Sequence, residues 1–268
     1  MDWREISGGW VLLPRQPIGI VHFLGGAFVA TAPQVTYRCL LEELGKKGYI
    51  VVATPFNNTT LDHGAIARNV LHRFETILER LKQNHLLGSG YLPIYGIGHS
   101  MGCKLHLLIG SLYPIQRAGN ILISYNNSPV NEAIPFLEQI KLGTASFLEQ
   151  LQMRNTLNME FTPSPIETNE IIAESYQVRR NLLVRFTNDT IDQSAILTPV
   201  LENRFPNMVA TQHLPGNHLT PLSQDVQWKM GSEFTPLDAI GQWFKQNLSR
   251  DLLRLNQEIS RWLNPVSF

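Results

Sequence analysis

An apolar run, Leu92-Pro93-Ile94-Tyr95-Gly96-Ile97, leads directly into Gly98-His99-Ser100-Met101-Gly102, and these residues lead directly into an apolar helical stretch from Met101 to Leu112. A Gly-x-Ser-x-Gly sequence between a strand and a helix constrains the fold strongly. A serine on so sharp a turn is held clear of the sheet at strained backbone angles, and only small residues two before and two after it avoid a clash. Gly98 and Gly102 meet that demand. The expectation is a nucleophile at Ser100, displayed above a sheet.

The rest of the chain has the same rhythm. Strands are predicted at Trp10–Leu13 (an edge strand), Gly19–Leu24, Tyr49–Ala53, Leu92–Ile97, Asn120–Ser124, Asn181–Phe186 and Met208–His213. Between them, Tyr37, Leu40, Leu41 and Leu44 fall on one face of a helix, as do Ile66, Val70, Phe74, Ile77, Leu78 and Leu81, with Asp62 as the cap of the second. A further helix is read at Leu197–Arg204, and two closing helices near Pro236–Gln246 and Asp251–Trp262. Strands alternating with helices make the class α/β, with a mostly parallel sheet covered by helices on both faces. The rhythm breaks between Tyr125 and Gln177, where only helical patterns occur, around Pro135–Leu151 and Thr168–Val178. Residues 126–178 are therefore read as an inserted helical cap within a single domain, 1–268.

A serine hydroxyl attacks at neutral pH only when a histidine takes its proton and a carboxylate orients that histidine. Asp189 lies just past the predicted strand Asn181–Phe186, at the carboxyl edge where sites of open α/β sheets gather, with Asp192 three residues on as the alternative acid. His218, on the turn Pro215-Gly216-Asn217-His218-Leu219, is the expected base, and His213 its competitor. Acyl transfer also needs backbone N–H donors for a developing oxyanion. Met101 supplies one by position, and the loop Gly25-Gly26-Ala27-Phe28 supplies another from Ala27 or Phe28, unless it is a plain glycine-rich turn.

Composition removes other classes. Lys+Arg and Asp+Glu both number 22, so the chain lacks the basic footprint of nucleic-acid or anionic-membrane binding. Gln16–Tyr37 carries no formal charge, yet Pro17, His22, Gly25, Gly26, Pro33 and Gln34 interrupt it too often for a membrane span, and no integral membrane segment is expected. Cys39 and Cys103 fit neither a disulfide framework nor a zinc site. With no secretory pattern at Met1–Glu5, a cytoplasmic protein is expected. His63, His72 and His85 show no ligand spacing, so no metal is expected, and no cofactor: the Gly96-x-Gly98-x-x-x-Gly102 run lacks the acid about 20 residues on that a dinucleotide site needs, the next carboxylate being Glu132. His99 is read as a structural or pocket residue rather than a second base, His106 as a core histidine and Cys103 as a small core filler.

The Gly-His-Ser-Met-Gly elbow, the Gly25-Gly26 loop and the late Asp and His, in the order Ser100, Asp189, His218, resemble the α/β-hydrolase superfamily over nearly the whole chain. More narrowly, Val21-His22-Phe23-Leu24-Gly25-Gly26-Ala27-Phe28, Thr54-Pro55-Phe56 and Leu214-Pro215-Gly216-Asn217-His218-Leu219-Thr220-Pro221 are similar to a family of cyanobacterial and plastid proteins catalogued as a domain of unknown function. Ordinary esterases end the corresponding strand in His-Gly, whereas His22 stands three residues before Gly25, so the resemblance carries no oxyanion role to His22. It implies an α/β-hydrolase fold and hardly anything about the substrate; the Ser100, His218 and Asp189 set is what points to a small-molecule ester. The apolar stripe Ile134, Leu137, Ile140 and Leu151 in the cap suits either a hydrophobic or lipid-like acyl group or packing onto the sheet. Thioester hydrolysis and acyl transfer use the same parts. The scaffold also occurs without catalysis, as a small-molecule receptor or an assembly partner, and those two expectations stand beside the enzyme.

Overall fold

The computed structural model describes residues 1–27, 29–57, 60–88, 90–130, 160–222 and 248–264. The strands are β1 (Arg4–Ile6), β2 (Gly9–Leu12), β3 (Gly19–Leu24), β4 (Tyr49–Ala53), β5 (Ile94–His99), β6 (Gly119–Ile123), β7 (Asn181–Phe186) and β8 (Val209–Leu214). They form an eight-stranded sheet in the order β1-β2-β4-β3-β5-β6-β7-β8. From β4 to β8 every pairing is parallel, while β2 runs antiparallel to β4 and to β1. The edge position expected for Trp10–Leu13 is occupied instead by Arg4–Ile6. That strand is polar and largely exposed, so no hydrophobic run announces it. It is joined to β2 by Ser7 and Gly8, both at positive φ (51° and 74°), the geometry of a two-residue hairpin whose twist matches its strands.

The helices are α1 (Pro33–Thr36), α2 (Arg38–Lys46), α3 (His63–Gln83), α4 (Met101–Leu112), α5 (Pro165–Ser175), α6 (Ser194–Arg204) and α7 (Leu248–Leu263). Asp62 caps α3 by accepting the Ala65 N–H at 2.7 Å, as expected. Side chains alternate across the pleat. Val21 and Phe23 of β3 join Leu40, Leu41 and Leu44 of α2 and Leu252, Leu255 and Ile259 of α7 in one apolar core. Their neighbours Ile20 and Leu24 face the other way, toward α3 and α4. Helix α4 is buried from Met101 to Ser111, which explains why its sequence is apolar around most of its circumference.

The stretch expected as a cap divides. Residues 131–159, including the pattern at Pro135–Leu151, lie outside the described residues, as does the closing helix at Pro236–Gln246. The described helix α5 belongs to the layer on the sheet: Ile172, with Tyr176 and Val178 just beyond the helix, packs among Leu107 of α4, Leu122 of β6, Leu183 of β7 and Leu197 of α6. No helix among the described residues is long and apolar enough to cross a membrane.

Candidate active site

Ser100 sits where β5 ends and α4 begins, at φ 54° and ψ −121°. This is a sparsely populated conformation that costs on the order of 1–3 kcal/mol for a residue with a side chain. The packing around it leaves the turn no alternative. A Cβ on Gly98 would come within 2.6 Å of the Cys103 nitrogen, and one on Gly102 within 2.1 Å of the Leu24 carbonyl oxygen. The two glycines thus let the start of α4 press against both its own strand and the end of β3. The Ser100 N–H donates to the Ile123 carbonyl at 2.9 Å, tying the elbow to β6. Cys103, fully buried behind it, lies in the core as a small side chain does.

Two further loops converge on this edge. The one after β7 and the one after β8 are zipped together by Thr187 N–H to Leu214 O (3.0 Å) and Asn188 N–H to Gly216 O (2.9 Å). Gly216 has φ 130°, and a Cβ there would lie 2.4 Å from Thr220 Oγ1, so the turn requires glycine. Asn217 Oδ1 accepts the Leu219 N–H at 2.9 Å and fixes the backbone on either side of His218. The result is a hydrogen bond of 2.9 Å between His218 Nδ1 and Asp189 Oδ2, with the Asp189 side chain fully buried. Burial raises the Asp189 pKa, but the bond and charge of His218, then the Ser124 hydroxyl and the Ile191 N–H, outweigh it and hold the carboxyl below its ordinary range.

Asp192 is engaged elsewhere. Its Oδ2 pairs with Arg185 Nε at 2.7 Å and its Oδ1 accepts from the Ser194 N–H at 3.1 Å. His213 is exposed on β8.

His99, which precedes the serine, lies 2.9 Å through Nε2 from the His218 carbonyl oxygen, and the two rings stand 4.9 Å apart between centroids. On the other side of Ser100, a Cβ on Gly26 would lie 3.3 Å from Ser100 Cβ. Met101 occupies the first position of α4, where a backbone N–H has no partner within the helix. Ala27 packs half-buried against the cluster that contains Met101, and Phe28 lies outside the described residues. The sequence reading missed Tyr37 in this setting. Its hydroxyl lies 2.7 Å from the Gly26 nitrogen and 2.8 Å from His99 Nδ1, yet in the sequence it is one more apolar position at helical spacing.

Deeper in the fold, His22 of β3, His106 of α4 and Arg117 form a second polar cluster. His22 stacks on Phe74 with centroids 4.2 Å apart, accepts at Nδ1 from Arg117 Nη2 at 2.9 Å and, through Nε2, meets Thr54 Oγ1 at 2.8 Å. Burial first and the Arg117 charge second push both histidines well below their ordinary pKa. No group of three or more His, Cys, Asp or Glu residues that could hold a metal ion occurs among the described residues.

The model of a family described as "Protein of unknown function (DUF1350)" matches residues 2–265. No curated protein matches the chain. Among solved structures, the chain is similar to an S-formylglutathione hydrolase from Staphylococcus aureus, with TM-score 0.58 and 13% identity over 96% of this chain and 92% of that one. It is similar also to carboxyl esterase 2 from the fungus Tuber melanosporum (TM-score 0.59, 14% identity, 94% and 79% covered). An esterase from Pyrococcus furiosus gives TM-score 0.54 at 16% identity, with 95% and 87% covered. The fold is that of the α/β hydrolases.

Proposed function

Because the chain belongs to the DUF1350 family and joins a strained serine elbow to a buried Asp–His pair at one sheet edge, we propose that it is a serine hydrolase of carboxylic esters. Ser100 Oγ attacks the ester carbonyl while His218 accepts its proton through Nε2. Asp189, on the opposite ring nitrogen, keeps the imidazole in the tautomer that can accept and stabilises the imidazolium that forms. The developing oxyanion is met by the backbone N–H of Met101 and by one from Ala27 or Phe28. His218 then gives its proton to the departing alkoxide. Water, activated by the same imidazole, releases the acid from Ser100.

The observation that carries this reading is the 2.9 Å contact of His218 Nδ1 with a fully buried Asp189 carboxylate. A histidine so held presents its other nitrogen as a proton acceptor. The apolar Met101 and Ala27 beside Ser100 favour a hydrophobic acyl group. The start of the stretch 126–178 adjoins this edge: Asn126 Nδ2 donates to the Ile191 carbonyl at 3.0 Å, on the loop that carries Asp189. The free thiols Cys39 and Cys103 fit a reducing compartment, the cytoplasm.

The test is labelling by a fluorophosphonate probe, followed by hydrolysis of p-nitrophenyl esters of increasing chain length and of matched thioesters. Labelling of the native protein but not of Ser100→Ala, with rates that rise with acyl length, is expected. No labelling, or equal labelling of Ser100→Ala, overturns the hydrolase. Binding of an apolar ester without turnover, unchanged in His218→Ala, would assign the scaffold to a receptor instead.

A further inference from the structure

Gly26, Tyr37, His99 and His218 come from four separate parts of the chain, and one line of hydrogen bonds runs through them. The directions are fixed by elementary chemistry. The His218 carbonyl oxygen can only accept, so His99 Nε2, 2.9 Å away, carries a proton. The His99 ring is 2% exposed and its pKa is pushed down to about 3, chiefly by burial and then by His218. It is therefore neutral, with one ring proton, and Nδ1 must accept. The partner of Nδ1, at 2.8 Å, is the Tyr37 hydroxyl, which donates. That hydroxyl oxygen in turn accepts the Gly26 N–H at 2.7 Å. The order is Gly26 N–H to Tyr37 O–H to His99 Nδ1, then His99 Nε2–H to His218 C=O.

We propose that Tyr37 and His99 are positioning residues that hold the Gly25-Gly26 loop and the backbone of the proton-accepting histidine in register with Ser100. The role rests on the serine-hydrolase reading. The line spans the three parts that reading needs: the loop offering an oxyanion donor, the residue adjoining the nucleophile, and the loop carrying His218. Because the Gly26 N–H is taken by Tyr37, the donor left to the oxyanion from this loop is the next N–H, at Ala27, or the one after it. Steric fit reinforces the bonds. A Cβ on Gly25 would lie 2.7 Å from the Tyr37 ring, closer than real Cβ atoms come, and one on Gly26 would lie 3.2 Å from His99 Nδ1, a tight fit, so the loop threads closely between the two side chains. Both nitrogens of His99 are committed, so it has no lone pair for the serine proton and cannot replace His218. Displacing a reacting group by about 1 Å is enough to slow an enzyme by about 10²-fold, the scale on which such a tie acts.

The test has two arms. In the first, ¹⁵N-histidine spectra of the free protein, assigned with His99→Gln, report the tautomer: a protonated Nε2 and bare Nδ1 at His99, unchanged from neutral to mildly acidic pH, are expected. An Nδ1–H tautomer, or a His99 that titrates there, overturns the line of bonds whether or not the protein is active. In the second arm, Tyr37→Phe keeps the buried ring and removes one oxygen. Its kcat on a p-nitrophenyl ester is expected to fall by about 10- to 100-fold with little change in KM. His99→Gln, which retains a donor toward the His218 carbonyl, is expected to keep more activity than His99→Leu, and adding Tyr37→Phe to His99→Leu to lose little more, since the line is already broken. Wild-type kcat in Tyr37→Phe, or losses that multiply in the double variant, overturns the positioning role and leaves the hydrolase standing. A native protein that neither takes the probe nor hydrolyses esters removes the hydrolase and the positioning role together. Should Tyr37→Phe not fold, the His99→Gln and His99→Leu pair decides the same question.

Discussion

Two groups of buried histidines in the molecule are treated differently. At the carboxyl edge of the sheet His218, 7% exposed, faces the carboxylate of Asp189. In the layer between β3 and the helices α3 and α4, His22 and His106 face the guanidinium of Arg117, and no carboxylate contacts either of them among the described residues. What the neighbouring charge does to an imidazolium separates the two. A carboxylate stabilises the protonated ring and lets it form during a reaction; a cation opposes it and keeps the ring a fixed hydrogen-bonding wedge. Residue type and burial do not identify a base. The sign of the partner does.

Removing that charge at the edge should give the largest effect. Asp189→Asn keeps the shape but leaves His218 Nδ1 free to accept from the amide, which places the proton on Nε2, where the serine needs a lone pair. By analogy with the well-studied serine-protease triad, kcat on a p-nitrophenyl ester is expected to fall by about 10⁴-fold with the fold intact by circular dichroism. Retention of most of the activity would break the comparison. In the interior, Arg117→Met removes the cation and with it the donors to His22 Nδ1 and to the Tyr95 carbonyl. Leaving such groups unsatisfied costs roughly 1–3 kcal/mol, seen as a lower Tm, while ester hydrolysis is expected to stay at the native rate.

A third buried charge sharpens the contrast. Lys104, one turn into α4, is 1% exposed; its Nζ donates to the Pro163 carbonyl at 3.2 Å and lies 5.7 Å from the Phe161 ring centre. Burial brings its pKa down to about 7 against the pull of Glu160 and Glu167. The unfolded chain, with an ordinary lysine, holds that proton to higher pH, so unfolded molecules bind more protons between about pH 7 and pH 10 and this group's contribution to stability rises with pH across that window. Lys104→Met removes the slope. The variant is expected to be the more stable protein at pH 7, and its advantage to shrink by about 2 kcal/mol by pH 9 in denaturant titrations. A pH-independent difference would show that Lys104 is charged in the folded state throughout.

What the sequence disclosed and what it hid divide along the same physical line. The strands β3, β4 and β7 and the helix α4 coincide with the residues expected, because each centres on a dense apolar run and is bounded by glycine, proline or polar turn residues. Hairpin strand β1 is polar and escaped. At the site, the elbow was legible from Gly98 and Gly102 because steric demand fixes residue type at fixed spacing. Asp189 and Asp192 were not separable, since both follow the same strand and only the fold shows that Arg185 takes one of them. Tyr37 and His99 were invisible as a pair: they stand 62 positions apart, and nothing local distinguishes a tyrosine that reaches a histidine from one that fills the core. Arg117 escaped for the same reason.

The smallest effect is expected at Asp192, and it tests the choice between the two acids most directly. Its carboxylate is 2% exposed but its partner Arg185 is 36% exposed, so water screens much of the attraction, and such pairs are typically worth under about 1 kcal/mol. Asp192→Asn keeps an oxygen able to accept from the Ser194 N–H at the start of α6, so the local turn survives and only the charge is lost. A slightly lower Tm with unchanged kcat and KM is expected. The outcome separates chemistry from scaffolding because Asp189 and Asp192 lie on the same loop after β7 and both are buried; they differ in facing an imidazole or a guanidinium. If Asp192→Asn silenced the protein while Asp189→Asn spared it, the loop would have to rearrange before reaction, exchanging the partner of His218, and the acid would be the residue that now holds Arg185.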